Sequence, residues 1–265
     1  MPSDKMKLTE QIEQYKDFPG RIIDQMPILI KEGRYPISSA ELMEKRLEYS
    51  SSSDEEVKNN WLYNHFHTGD GQARRLDGRV KIALDSQELR ELNPKTKLIN
   101  GALPQSGEEY DRLKGIELTK EEVTNYVQGR NLTKQEVLNN KLWRILARHP
   151  DEVPKELARD KNLLPEYANL VFSEGFDTGM GIYVSSPEDA LRLWYVYWLY
   201  GGSVAGGDGR LDGSSGRLVG VRSEGAKREK FDVLENRILR DIKEGKAFEF
   251  NGKVYAPVQG VSLDQ

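Results

Sequence analysis

The chain has 265 residues, no cysteine and a formal net charge of -4, with 37% hydrophobic and 31% charged residues. That length can bury a proper core in one large domain or two small ones, and the missing thiols exclude disulfides, thiolate nucleophiles and cysteine-ligated metal centres. The acidic balance gives no general attraction to phosphate backbones or anionic lipid, and neither an apolar signal core nor a bilayer-length apolar run occurs, so a cytoplasmic protein with no membrane partner is expected.

Leu8, Ile12 and Tyr15 recur at helical spacing, which predicts a short first helix broken by Pro19-Gly20. Pro27 interrupts the apolar group at 22–30, so two helical pieces ending at Gly33 are expected. Ser38 with Glu41, and Ser53 with Glu56, have capping-box spacing. The first opens a helix with Ala40, Met43 and Leu47 on one side; the second opens a helix that carries Val57, Trp61 and His65 on one face and ends near Thr68-Gly69. Val80, Ile82 and Leu84 then alternate with polar or small residues as a half-buried strand does. A short helix from Asp85 or Glu88 to Pro94 follows, and Asn100-Gly101 suits the turn of a small hairpin over 97–103.

LTKEEV at 118–123 and LTKQEV at 132–137 are near-copies, read as one helix-start device used twice. Behind the second, Leu138, Leu142 and Ile145 form a stripe that His149-Pro150 closes, and further helical segments are expected over 153–160 and 165–174. Residues 179–184 read as a strand and Ser186-Pro187 as a helix start. The aromatic run RLWYVYWLY at 192–200 reads as a strand on β-propensity, as does 217–222. Phe231, Leu234, Ile238 and Ile242 predict a long helix over 227–243, and 247–258 predicts a hairpin turning at Asn251-Gly252. The expected fold class is therefore α+β: a mainly helical N-terminal part with one short strand region over 1–170, then over 171–265 a mostly antiparallel sheet packed with one long helix, bearing a Gly-rich loop and a C-terminal hairpin. No flexible linker marks the boundary, which leaves a single continuous body open.

The Gly-rich stretch 201–216 is where turn chemistry alone looks insufficient. Gly207 and Asp208 stand where a P-loop needs Lys and Ser or Thr, and Asp212 stands where a Rossmann fingerprint needs its third glycine. What the stretch offers is Asp208 and Asp212 beside Arg210, Arg217 and Arg222, carboxylates among guanidinium donors. It follows a strand that would place Trp194 and Trp198 on one face and Leu193, Tyr195 and Tyr197 on the other. Those two Asp, three Arg and two Trp are the candidate ligand-binding set. A central strand buried on both faces accounts for the aromatics; an exposed face would instead stack bases or a planar ligand.

GDGQARRLDG at 69–78 echoes GDGRLDG at 207–213; Asp-Gly turns account for both, with an ion or ligand site as the alternative. His65, His67 and Asp70 are a minor metal candidate, because imidazoles two residues apart point the same way on an extended chain, although they lie about 200° apart on a helix. No G-x-S-x-G elbow occurs, and neither a catalytic residue nor a cofactor is assignable. The expected function is that of a binding or regulatory protein contacting a macromolecular partner, protein or nucleic acid, through the C-terminal sheet and Gly-rich loop. The alternative is an enzyme acting on a phosphate-containing substrate, with Arg210 and Arg217 as anion clamps and Asp208 or Asp212 as metal ligand or general base.

Overall fold

The computed structural model describes residues 6–8, 14–127, 130–173, 175–199 and 202–222, and the backbone of two short strands at 248–250 and 253–255. It divides into two compact units, Met1–Val221 and Arg222–Gln265.

The first unit begins with a strand. Where the spacing predicts a helix, Tyr15 and its successors form β1 (Tyr15–Phe18), whose backbone pairs antiparallel with residues 218–221 while Tyr15 and Phe18 are buried. α1 (Ile22–Lys31) runs unbroken through Pro27, where two pieces are expected. An interior proline costs about 3 kcal/mol. Ile22, Ile23, Met26 and Leu29 are all buried on the same helix, and each is worth about 1.5–3 kcal/mol, so continuing the helix wins. β2 (Tyr35–Pro36) leads into α2 (Ser39–Tyr49), where the Ser38 hydroxyl accepts from the Glu41 N–H as its spacing predicts. α3 (Glu55–Leu62) is capped by Asp54 instead of Ser53.

The largest departure comes next. Instead of helix continuing to Thr68, the chain turns into β3 (Phe66–Arg74), buried at every position through Ala73. Its glycines admit neighbours that a side chain would repel: a Cβ on Gly69 would stand 2.7 Å from Pro36 Cγ, and one on Gly71 would stand 2.9 Å from Leu191 Cδ1. β4 (Val80–Ala83) and α4 (Gln87–Arg90) follow, and Asn100 and Gly101 both take the positive φ of the expected tight turn, 51° and 75°. Then come β5 (Leu103–Pro104), α5 (Gly107–Arg112), β6 (Ile116–Leu118) and α6 (Lys120–Tyr126). Thr119 and Thr133 each complete a capping box. Asn140 splits the single expected helix behind Thr133 into α7 (Lys134–Asn139) and α8 (Lys141–Leu146), because its side-chain oxygen accepts from the Leu142 and Trp143 N–H groups and starts a new helix there. Residues 153–160 form turns instead of the expected helix, α9 is Leu163–Phe172, and no helix starts at Ser186. Four strands close the unit: β7 (Ile182–Tyr183), β8 (Ala190–Val196), β9 (Ala205–Gly209) and β10 (Arg217–Val221).

These ten strands form one mixed sheet with the path β1-β10-β3-β8-β9-β7, to which β2 adds at β10, β4 and then β6 at β3, and β5 at β8. β10 runs parallel to β3 and β7 parallel to β9; the other pairs are antiparallel. The expected mainly helical N-terminal part followed by an antiparallel sheet with one long helix is therefore not what forms. Six strands from the first 120 residues join the same sheet as those beyond residue 180. Leu191, Leu193 and Leu218 face α1 and α4 with Ile22, Met26 and Leu89. Trp194, on the opposite face, packs with Met43, Trp143 and Tyr167 of the other helices. In the second unit, β11 (Phe248–Phe250) and β12 (Lys253–Tyr255) pair antiparallel, with Phe248 opposite Tyr255. The turn expected at Asn251-Gly252 and the helix expected at 227–243 lie outside the described residues.

β3 is bulged against β8 between His67 and Gly71. The backbone groups freed there find other partners: the Gly69 N–H donates to the Ile37 carbonyl at 2.8 Å, and its carbonyl accepts from the Ser86 N–H at 2.9 Å. The bulge buries the Asp70 carboxylate completely, where it accepts from the Ser39 N–H at 2.7 Å and the Asp85 N–H at 3.0 Å, with the Arg148 guanidinium 3.5 Å away. Burial pushes this carboxyl up from the usual range, while Arg148 and the two N–H donors pull it back. One side chain thus ties β3 to the start of α2, the turn after β4 and the segment after α8. Asp70→Ala leaves both N–H donors without their acceptor and Arg148 with Asp85 as its remaining carboxylate at 2.7 Å, and should cost about 3–5 kcal/mol in urea denaturation, with Asp70→Asn milder. A loss under about 1 kcal/mol for the alanine variant would contradict this role.

Candidate functional site

At one end of the sheet, the face that α1 covers elsewhere is tiled with aromatic rings instead of aliphatic side chains. The register sets this up: Phe66 pairs with Val196 and His67 with Tyr195, so the row of Leu191 and Leu193 continues as Tyr195 beside the imidazoles. The His65 ring stacks on Tyr197 at 4.6 Å and meets Tyr195 edge-on at 4.8 Å and His67 edge-on at 5.0 Å. Tyr195 meets Tyr197 at 5.2 Å and 82°, and Tyr197 meets Trp198 at 5.2 Å and 75°. The row grades from His67, 3% exposed, to Trp198, 42% exposed. Glycines on β9 and just before β10 leave room for two of these rings. A Cβ on Gly206 would collide with the Tyr195 ring, and one on Gly216 would stand 2.5 Å from His67 Nε2.

The turn that presents Trp198 is fixed by its backbone. The Tyr197 N–H donates to Val204 at 2.8 Å, Ser203 to Trp198 at 3.2 Å, and Leu199 to Leu62 at 2.8 Å. From the helical side, the fully buried Arg46 guanidinium donates to the carbonyls of Trp61 and Asn64, the Tyr167 hydroxyl and the Ser203 hydroxyl, at 3.0, 2.9, 2.7 and 3.3 Å. All four acceptors are neutral, so the hydrogen bonds themselves hold the charge in place.

Burial, and secondarily the Arg46 charge, lowers His65 to about 4; burial, and secondarily His65, lowers His67 to about 3. Both imidazoles are neutral near pH 7, and His65 Nε2 and His67 Nδ1 are buried without a hydrogen-bond partner. Burial also pushes the Tyr195 phenol up, reinforced by the Asp208 carboxylate to which it donates.

The candidate residues read from the sequence separate into several places. Trp198 and Asp208 lie in this ringed end, exposed, while Trp194 is fully buried on the opposite face. Arg210 and Asp212 pair with each other at 2.9 Å and pack on the Asn100-Gly101 turn, where a Cβ on Gly101 would stand 2.6 Å from Asp212 Oδ1. Arg217 donates to the buried Asp17 carboxylate at 3.0 Å, and Arg222 begins the second unit. His65 and His67 meet, but Asp70 is committed to Ser39, Asp85 and Arg148. Among the described residues no group of three or more His, Asp or Glu side chains is placed to hold a metal ion. A cleft of about 360 Å³ opens elsewhere, beside Leu103, Gln105 and Leu113, and none of the candidates lines it.

The repeated GDG segments are not loops. Gly71 and Gly209 sit opposite the same residue, Leu193, on the two sides of β8. Beyond them the copies diverge: Leu76 is 69% exposed, whereas Leu211 is fully buried, donating to Gly101 and accepting from Ile23. Tyr195, Tyr197 and His65, which matter most at the ringed end, carried a period-two signal on the strand face opposite Trp194.

No family model matches the chain, and no curated protein matches it. Among solved structures, one described as "Accommodation of massive sequence variation in Nanoarchaeota by the C-type lectin fold" is similar, with a TM-score of 0.54 over 82% of this chain and 100% of that one, at 17% identity. The likeness is one of fold, and it replaces the expected two-part α+β arrangement with a C-type-lectin-like one.

Two outcomes follow from the ring packing. Gly206→Ala should lower stability by about 1–3 kcal/mol, because its methyl occupies the Tyr195 ring position; an unchanged urea midpoint would refute the close approach. Free imidazoles titrate near 6.5, well above the folded values, so the unfolded chain takes up protons first as pH falls. The stability these histidines contribute is complete above about pH 6.5 and is lost as pH drops towards 4. His67→Gln should therefore reduce the drop in melting temperature between about pH 7 and pH 4.5 relative to the parent chain; parallel curves would show that other groups drive it.

Proposed function

We propose that this chain is a binding protein whose contact surface is the ringed end of the sheet, and that its partner is a macromolecule. The carrying observation is Trp198, 42% exposed and held edge-on against Tyr197 by a backbone-locked turn. Exposed aromatics on a rigid frame lose little conformational entropy on contact, which is why Trp and Tyr dominate binding hot spots. The C-type-lectin-like fold supports this reading: the Nanoarchaeota structure is described as accommodating massive sequence variation by that fold.

The phosphate-handling alternative has less behind it. The guanidinium groups it would use are already engaged, Arg210 by Asp212 and Arg217 by Asp17. A clamp would have to break an existing pair before it met an anion.

The test is partner capture by the full chain and by Trp198→Ala/Tyr197→Ala, beside Leu76→Ala as a still more exposed apolar control just beyond the far end of β3. The aromatic double variant should lose captured partners while keeping its melting temperature, and Leu76→Ala should keep both. Capture that survives the double variant but fails on Arg210→Ala/Asp212→Ala would move the contact surface to the Asn100-Gly101 turn and overturn this reading.

A further inference from the structure

We propose that the cleft beside β5 is a binding site for a small primary amine with an aliphatic body, its ammonium held by Glu88, Glu109 and Gln105. This site is separate from the ringed end. Leu103 and Pro104 pair with Leu191 and Ala190, which puts the cleft at the opposite end of β8 from Tyr195 and Trp198.

Three segments build its walls, and contacts within the protein hold each of them. Glu88 comes from α4, where the Ser86 hydroxyl donates to Glu88 Oε2 at 2.9 Å. Glu109 comes from α5, where its Oε2 accepts from the Ser106 N–H at 2.7 Å and completes a capping box. That N–H holds the Glu109 carboxyl below its usual range. Gln105 is anchored by its own backbone, whose N–H donates to the Asp189 carbonyl at 2.9 Å. Leu103 and Leu113 belong to the core beneath α1 and α4 and give the cleft an apolar wall. At about 360 Å³ it lies near the small end of ligand-sized cavities, about 300–1,000 Å³.

Gln105 is the observation that points to a ligand. Its side chain lines the cleft, the residue is only 7% exposed, and Oε1 is buried with no hydrogen-bond partner. An amide oxygen left unpaired inside a protein is costly, and a donor in the cleft removes that cost. Rotation about the last side-chain torsion exchanges the amide oxygen and nitrogen, so the oxygen can meet such a donor while the backbone stays in place.

Charge and shape select the donor. An ammonium carries three N–H groups, and the wall offers two carboxylates and one amide oxygen to receive them. An anion is disfavoured, because Glu88 and Glu109 outnumber Arg112, which is largely exposed and faces Glu108 at 4.0 Å. A metal ion lacks ligands, since among the described residues no three His, Asp or Glu side chains are grouped to hold one. None of the lining side chains is aromatic, so a flat ring has nothing to stack on, whereas Leu103, Pro104 and Leu113 suit a chain of methylenes.

The experiment is calorimetric titration of the full chain with n-butylamine at about pH 7, where the amine is protonated. Butanol, butyrate and tetramethylammonium are the other arms: the same body without charge, the same body with the opposite charge, and the charge without N–H groups. Butylamine should bind saturably, and each of the other three about tenfold or more weaker. Glu88→Gln/Glu109→Gln, which keeps a capping residue at 109, should weaken butylamine about tenfold, and Gln105→Leu several-fold, both with the melting temperature of the parent chain. Trp198→Ala/Tyr197→Ala should bind butylamine as the parent does. No saturable butylamine binding, equal binding of butanol or butyrate, or binding indifferent to the two glutamates overturns the proposal and leaves the ringed surface untouched. Loss of amine binding in the aromatic double variant would place the amine at the ringed end and overturn it as well.

Discussion

The Asp70 carboxylate is the constraint on which the rest of the molecule depends. It stands in the interior of the central strand, where a charge is costly unless it is hydrogen-bonded and paired, and two backbone N–H groups and one guanidinium converge on it from three different segments. Meeting that demand requires the bulge in β3, and the bulge divides the strand. Below it the chain behaves as an ordinary sheet member beside Leu191; above it His65 and His67 are directed along the ringed end. A buried acid far from the surface rings therefore sets the direction in which they point.

A second buried charge does the complementary job. Arg46 reaches through the helical layer to the turn carrying Trp198, and its neutral acceptors come from α9, from the end of α3 and the segment after it, and from Ser203 itself. Ser203 sits at φ 49°, a strained conformation for a residue with a side chain, and its hydroxyl is what Arg46 and Tyr167 hold. Presentation of the exposed indole is thus the product of a buried network. The exposed rings and the network behind them are chemically distinct, the first aromatic and the second built from a buried guanidinium and neutral acceptors.

How much of this could be read in the sequence depends on whether the signal was local. Helix starts were legible because a cap needs only residues three apart: Ser38, Thr119 and Thr133 cap where their spacing says. The tight turn at Asn100-Gly101 was legible for the same reason. The sheet was not, because its central members β3 and β9 read FHTGDGQAR and AGGDG, with glycine where alternation would place an apolar residue. The apolar partner at those positions is supplied from another strand, Leu193 over Gly209 or Tyr195 over Gly206, so the information lies in the pairing and not in either segment. The candidate site suffered likewise. Which face of the aromatic run lies open, that of Trp194 or that of Tyr195, depends on which side the helices cover, and the arginines looked available until their carboxylates at Asp17 and Asp212 were found beside them.

The glycine-rich composition of β3 and β9 also bears on the order in which the molecule assembles. Glycine surrenders more backbone freedom on ordering than any other residue, and these two strands contain it at five positions between them. Neither segment can hold an extended conformation on its own, and their pairings with β8 span more than a hundred residues on one side and barely ten on the other. The short β8–β9 connection closes at little cost, whereas β3 must wait for a long loop to close. Folding should accordingly run from the self-capped helices and the β8–β9 pair toward β3, making the insertion of the central strand, with its buried acid, the late step that commits the chain to its native state.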